Sequence, residues 1–303
     1  MSFKNDDYLC VSQIWNTNYK LVISDMSESL TYIWHDCFIF ENENVILIFD
    51  FWKLPDYLQN KNDNEIPAFL FDLDKTKHLY VFVSHHHKDH YNPSIFKWEK
   101  FFLNITFIIS KDTSKHARYI LSETSFYNGY KPKLSNVKII NRGEQYSDTR
   151  IKVTAFSSTD IGNSYLIESD GKKIFHAGDL NAWLWKDESS EEEINEALTG
   201  FNKILNEIYE FSPRIDFAMF PVDSRIGTDF FTGARLFVRK INVRYFFPMH
   251  FTLGETVEEK VRLLKDACEV KNYANPERGE YICLTSPFSK FYVVQSGHRP
   301  DNT

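Results

Sequence analysis

Little in this 303-residue sequence points to an oxidising compartment, a membrane or a nucleic-acid partner. Cysteine occurs four times, at Cys10, Cys37, Cys268 and Cys283, without CxxC spacing, which speaks against a zinc knuckle and a disulfide framework and leaves reduced thiols as the expectation. No apolar run approaches the ~18 residues of a membrane span. Met1 to Cys10 carries neither the basic nor the apolar stretch of an export signal, so a soluble, cytoplasmic chain is expected. Lys and Arg, at 35, are outnumbered by 42 Asp and Glu, and a formal net charge of -7 gives no chain-wide reason to bind nucleic acid, though a local basic groove stays open. Glycine, proline and serine nowhere gather into a linker, and there is no internal repeat. What is abundant is core material: 43% hydrophobic and 16% aromatic residues exclude disorder.

The apolar pattern alternates between strand and helix. Residues 1–30 read as an edge strand or lead-in, and strand-like runs at 31–40 and 45–52 are joined by Glu41-Asn42-Glu43-Asn44, a hairpin connection. Residues 79–84 (LYVFVS) form a continuous apolar run, as in a strand buried on both faces. Helices are expected around 93–102 and 113–123, with strands at 105–110, 137–140, 151–156, 164–168 and 173–176. Ser190 with Glu193 makes a capping box for a long amphipathic helix, and Thr256 with Glu259 opens another. Strands follow at 215–221, 243–248, 280–285 and 291–294. Interleaved strands and helices without a linker predict one α/β domain over 1–303, with 1–30 as a lead-in and 188–212 as a helical insertion.

Four of the ten histidines fall within residues 85–90, as His85-x-His87-x-Asp89-His90 directly after the buried run. Two imidazoles at i and i+2 at a strand end can point the same way, while Asp89 and His90 in the following turn reach a point a few ångströms off, so one loop can serve two adjacent metal ions. His86 and Lys88 are expected to point away. This string resembles the metal-binding signature of the metallo-β-lactamase superfamily, whose αββα sandwich of two mixed sheets flanked by helices carries a one- or two-metal site at a sheet edge. Gly178-Asp179 resembles the superfamily's later motif, whose aspartate bridges the metals, and Pro248-Met249-His250-Phe251 resembles the last, whose histidine completes the second metal's shell. His35 in Tyr32-Ile33-Trp34-His35 and Asp50 in Leu47-Ile48-Phe49-Asp50 resemble features of the lactonase-like branch, one near the site and one supporting its ligands.

The sequence departs from that pattern where a further histidine is usual: residues 155–164 contain none, and Asp160 is the best substitute, with His176 a weaker one. The resemblance then implies His85, His87 and Asp179, with or without Asp160, around one ion, and Asp89, His90, His250 and the shared Asp179 around a second. Such ligands suit one or two divalent ions, zinc ranked first, manganese second and iron compatible. Diiron oxygen-reducing relatives carry a glutamate where His87 stands, which favours hydrolysis. The expected enzyme is a hydrolase using a metal-bound hydroxide on a small ester, lactone or phosphoester, with Asp89 handling the water and His35 as an acid for the leaving group. Arg225, in a strand-to-helix loop, is a candidate for an anionic substrate group, and Trp183 for a pocket wall. The partner is thus a small molecule, with a homo-oligomer open and no membrane span. The alternatives are a phosphodiesterase acting on lipid or nucleic acid, the latter disfavoured by charge, and a non-catalytic binding module on the same fold.

Overall fold

The computed structural model describes residues 26–59, 66–122 and 131–294. Two seven-stranded mixed sheets stack face to face. The first runs β14-β1-β2-β3-β4-β5-β6, from β1 (Met26–Trp34), β2 (Cys37–Glu41), β3 (Val45–Phe49), β4 (His78–Val83), β5 (Ile105–Ser110) and β6 (Val137–Ile140) to the late-returning β14 (Lys290–Val294). The second runs β13-β12-β11-β10-β9-β8-β7, from β7 (Gln145–Ser147), β8 (Lys152–Ser157), β9 (Asn163–Ser169), β10 (Lys172–His176), β11 (Arg214–Pro221) and β12 (Asn242–Met249) to β13 (Glu280–Tyr281).

The uninterrupted apolar runs follow from burial on both faces. Leu47, Phe49, Tyr80 and Phe82 enter the core between the sheets, whereas their alternate neighbours Ile46, Ile48, Val81 and Val83 pack outward on Trp98 and its surroundings. Aromatic pairs such as Phe40 with Phe217, ring centroids 5.1 Å apart, join the two sheets. The helices are α1 (Lys111–His116), α2 (Arg118–Leu121), α3 (Glu191–Phe211), α4 (Thr232–Lys240), α5 (Val257–Glu269) and α6 (Lys271–Ala274). The capping box of Ser190 and Glu193 is formed, and α3 buries Phe201, Ile204, Leu205 and Ile208. No helix among the described residues is long and apolar enough to cross a membrane.

Several expectations change. Residues 26–30, read as the end of a lead-in, belong to β1, and residues 1–25 lie outside the described residues, as does Glu123 of the expected 113–123 helix. The run 31–40 is not one strand: it breaks at His35-Asp36 into the antiparallel pair β1 and β2, because His35 adopts φ 57. The helix expected at 93–102 is a 3-10 helix, Pro93–Lys100, and the strand expected at 280–285 ends at Tyr281. The largest departure from the sequence reading is a disulfide between Cys268, in the last turn of α5, and Cys283, their Cα atoms 5.5 Å apart, while Cys37 is buried and free. The fourteen intervening residues fold back alongside β12, a tertiary closure that local spacing cannot announce.

Candidate metal centre

Parallel pairing brings the chemistry together. β3 and β4 run parallel, as do β10, β11 and β12, so their C-terminal ends discharge loops at one edge of the sandwich. Asp50 leaves β3, residues 84–90 leave β4, Asp179 follows β10, Asp223 follows β11 and His250 follows β12, with Asp160 supplied by the β8–β9 connection.

Two groups of four donor residues result, beside a smaller one of Asp50, His85 and His90. In the first, His85, His87, Asp160 and Asp179 each offer an atom within 4.8 Å of the others. His85 Nε2 is 3.0 Å from His87 Nδ1 and 3.2 Å from Asp179 Oδ2, and His87 Nδ1 is 3.6 Å from Asp160 Oδ2. In the second, His35, Asp36, His90 and His250 meet the same criterion. Asp179 turns its other oxygen to this group: Oδ1 lies 3.1 Å from His90 Nε2 and 3.5 Å from His250 Nε2. One carboxylate thus spans both groups. His87 and Asp160 are each 43% exposed, while the second group is buried, so the cluster opens to solvent on its first side.

A further layer fixes the imidazoles. Asp50 accepts from the Ser84 N–H at 2.7 Å and the Ser84 hydroxyl at 2.5 Å, and its Oδ2 lies 2.8 Å from His90 Nδ1. The Ser84 hydroxyl stands 2.9 Å from His85 Nδ1, and Asp223 Oδ2 stands 2.9 Å from His250 Nδ1. In each case the far nitrogen, Nε2, is left aimed at the cluster. Gly162 permits the close passage of the β8–β9 connection, since a Cβ there would strike the Ser84 carbonyl and the His85 side chain.

The residues fit cations. Among buried polar atoms without a hydrogen-bond partner are His35 Nε2, both oxygens of Asp36, His90 Nε2 and Asp179 Oδ1, all from this one cluster. Isolated buried charges of this kind are too costly to stand without a counter-charge. Without a cation that charge comes from protons. Burial by itself lowers His250, but Asp36, Asp179 and Asp223 outweigh it and raise it to about 9, and His90 is raised well above its ordinary value in the same manner. Burial, with Asp179 and Asp50 adding to it, raises Asp36 to about 7 against the pull of His250 and His90. Burial would also raise Asp179, yet His90 and His250 hold it well below the carboxylate range. Burial, with His250 beside it, pushes His35 down to about 3 and keeps it neutral.

The remaining expected residues fall around this core. Asp89, one quarter exposed, reaches His35 Nε2 at 3.6 Å but stands outside both mutual groups. Burial raises it, and His35, His90 and His250 more than reverse that, so it is held below the ordinary range. His176 is not among the grouped donors: its Nε2 donates to the Asp36 carbonyl at 2.8 Å and its Nδ1 accepts from the Gly178 N–H. Arg225, expected to meet an anion, gives its Nε and Nη2 to Asp223 at 3.0 and 2.6 Å, and so acts through the Asp223–His250 contact. Trp183 packs edge-on to His250 with centroids 5.4 Å apart and donates from Nε1 to the Asp179 carbonyl. His86 turns away to Asp112 and stacks on His116, and Lys88 is exposed. Asp36 and Asp223 were missed from the sequence. Asp223 lies in the same strand-to-helix loop as Arg225, as the cap of its short helix.

A domain family described as the beta-lactamase superfamily domain matches residues 29–197, more than half of the chain. No curated protein matches it. Among solved structures it is similar to Igni18, a metallo hydrolase of the hyperthermophilic archaeon Ignicoccus hospitalis, at TM-score 0.57 and 15% identity over 88% of this chain and 98% of that one. It is also similar to the metallo-beta-lactamase fold protein YhfI of Bacillus subtilis, at 0.53 and 12% over 88% and 100%. CmlA, a diiron beta-hydroxylase of Streptomyces venezuelae, gives 0.56 and 12% over 89% of this chain and 54% of that one. At these identities the likeness is one of fold.

Proposed function

Because the chain belongs to the metallo-β-lactamase superfamily, we propose that it is a metal-dependent hydrolase of a small ester, lactone or phosphoester, holding two divalent cations, with zinc ranked before manganese and iron. The observation that carries this reading is the division of Asp179, Oδ2 toward His85 and Oδ1 toward His90 and His250. His85, His87, Asp160 and Asp179 would hold one ion. His90, His250 and Asp179, completed by a further carboxylate, would hold the other. Divalent ions so bound lower the pKa of a coordinated water and polarise an acyl or phosphoryl oxygen.

The chain's own groups do the rest. Asp50 and Asp223 orient His90 and His250 and keep their Nε2 atoms on the cluster. The half-exposed His87 and Asp160 mark the side from which substrate enters, with the Trp183 ring beside His250 as a wall. Asp89, ionised and part-exposed, suits orienting the attacking water more than removing its proton. His35 suits the acid role less well than Asp89 suits orienting the water: fully buried and held neutral, it presents no imidazolium proton to a leaving group at neutral pH.

The test is direct. The chain is stripped with a chelator, reloaded with zinc or manganese, and assayed on a p-nitrophenyl ester, a lactone and bis(p-nitrophenyl) phosphate, beside Asp179→Asn. Metal-dependent turnover of one class, absent from the stripped chain and from the variant, is expected. No turnover of any class by a chain carrying two ions would contradict the proposal.

A further inference from the structure

We propose that Thr159 is the positioning residue of the first cation site, its hydroxyl clasping the β8–β9 connection to the loop after β10 and so holding Asp160 against His85, His87 and Asp179. This rests on the two-cation reading above. The hydroxyl donates to the Asn181 carbonyl at 2.6 Å and accepts from the Asn181 N–H at 3.1 Å, with the Asp179 carbonyl 3.3 Å away. One side-chain oxygen thus pairs with both backbone groups of a residue that is 1% exposed, a task that a neighbouring strand performs inside a sheet.

The loop on one side of this clasp is firmly packed. Residues 174–182 are buried, the Asp179 carbonyl also accepts from Trp183 Nε1 at 2.7 Å, and the Asn181 side chain accepts from the Ala182 N–H at 2.8 Å. The connection on the other side lies open. β8 ends at Ser157 and β9 starts at Asn163, and Asp160 between them is exposed. Its carboxylate meets His87 Nδ1 across 3.6 Å, with both side chains 43% exposed, and an ion pair so open to solvent is worth too little to set a loop.

Two anchors therefore fix Asp160 from either side. After it, Gly162 takes φ +77 and passes against the Ser84 carbonyl and the His85 side chain, where a Cβ would collide. Before it, Thr159 ties the chain to Asn181, two residues beyond Asp179. An aspartate reaches less far from its backbone than a histidine, so the connection has to be drawn in for its carboxylate to join the donors of the first group. His90 and His250 are held by Asp50 and Asp223 instead, which confines the effect of Thr159 to the first ion.

The experiment uses the full chain, stripped and titrated with Zn2+ or Mn2+ against a competing chelator, with metal content read by elemental analysis. In Thr159→Val, which keeps the shape and removes the hydroxyl, one ion should weaken ~10–100-fold while the other stays near its parental affinity. Thr159→Ser, which keeps the hydroxyl, should bind both as the parent does. Asp160→Asn should weaken the same ion, and adding Thr159→Val to it should cost no more than about twofold further, because the hydroxyl acts through that carboxylate. Thr159→Ala, which leaves room for a water to pair with Asn181, carries the same test should Thr159→Val not fold. A lower melting temperature of the metal-free Thr159 variant with both ions at parental affinity would make the clasp merely structural and overturn the assignment. The full loss recurring on top of Asp160→Asn, or parental affinity in Asp160→Asn itself, overturns it too. A parent that binds fewer than two ions overturns the two-cation reading and the assignment with it.

Discussion

The metal-free protein should lose stability as pH rises from 6 to 9.5. His250 has an ordinary value of 6.5 and is raised to about 9 in the folded chain, because Asp36, Asp179 and Asp223 together outweigh the effect of burial. A group raised on folding stabilises the native state fully below its unfolded value, and that stabilisation is lost as pH climbs through the folded one. The displacement corresponds to roughly 3 kcal/mol for His250 alone. His90, raised likewise, adds to the same slope. Asp36, raised to about 7 by burial, contributes in the same direction at the lower end of the window, since its carboxyl must ionise without solvent. At about 2–4 °C per kcal/mol for a chain of this size, the melting temperature of the stripped protein should fall by on the order of 10 °C. Scanning fluorimetry with chelator across that range measures it. Loading with zinc should flatten the curve, because ligation requires the imidazoles neutral and replaces their protons. A melting temperature that is constant or rising with pH in the stripped protein would refute the reasoning.

Further outcomes are equally accessible. Gly162→Ala should destabilise the chain, since φ is +77 and a Cβ would meet Ser84 and His85; an unchanged melting temperature would count against the close packing under the His85 loop. Asp223→Asn should weaken metal binding ~10–100-fold through His250, read by chelator competition, with the first group's ion unaffected. Cys283→Ser, or reduction of Cys268–Cys283, should cost about 3 kcal/mol for a loop of this length, seen as a lower denaturant midpoint; equal midpoints with and without reductant would argue against the bond.

How much of this could be read beforehand depends on how local each signal is. The His85–His90 string was legible because its donors are contiguous and end a run buried on both faces. Asp160 was legible through an absence, a histidine missing from residues 155–164, and it now lies 3.6 Å from His87. Asp36 was hidden inside what reads as one strand, 31–40, where alternation gives it no reason to join His35; only the positive φ at His35 breaks the run and turns both inward. Asp223 was hidden because it reads as a helix cap and is one, its side chain accepting from the Arg225 N–H while also holding His250. The Cys268–Cys283 bond depends on tertiary closure that spacing alone does not encode.

The central claim is that two cations share Asp179, and anomalous diffraction tests it most directly. Crystals grown with excess zinc or manganese should show two anomalous peaks per chain, one on each side of the Asp179 carboxylate, the first beside His85, His87 and Asp160 and the second beside His90 and His250. A map with no peak in this cluster, or with the ions bound elsewhere on the chain, would contradict the account.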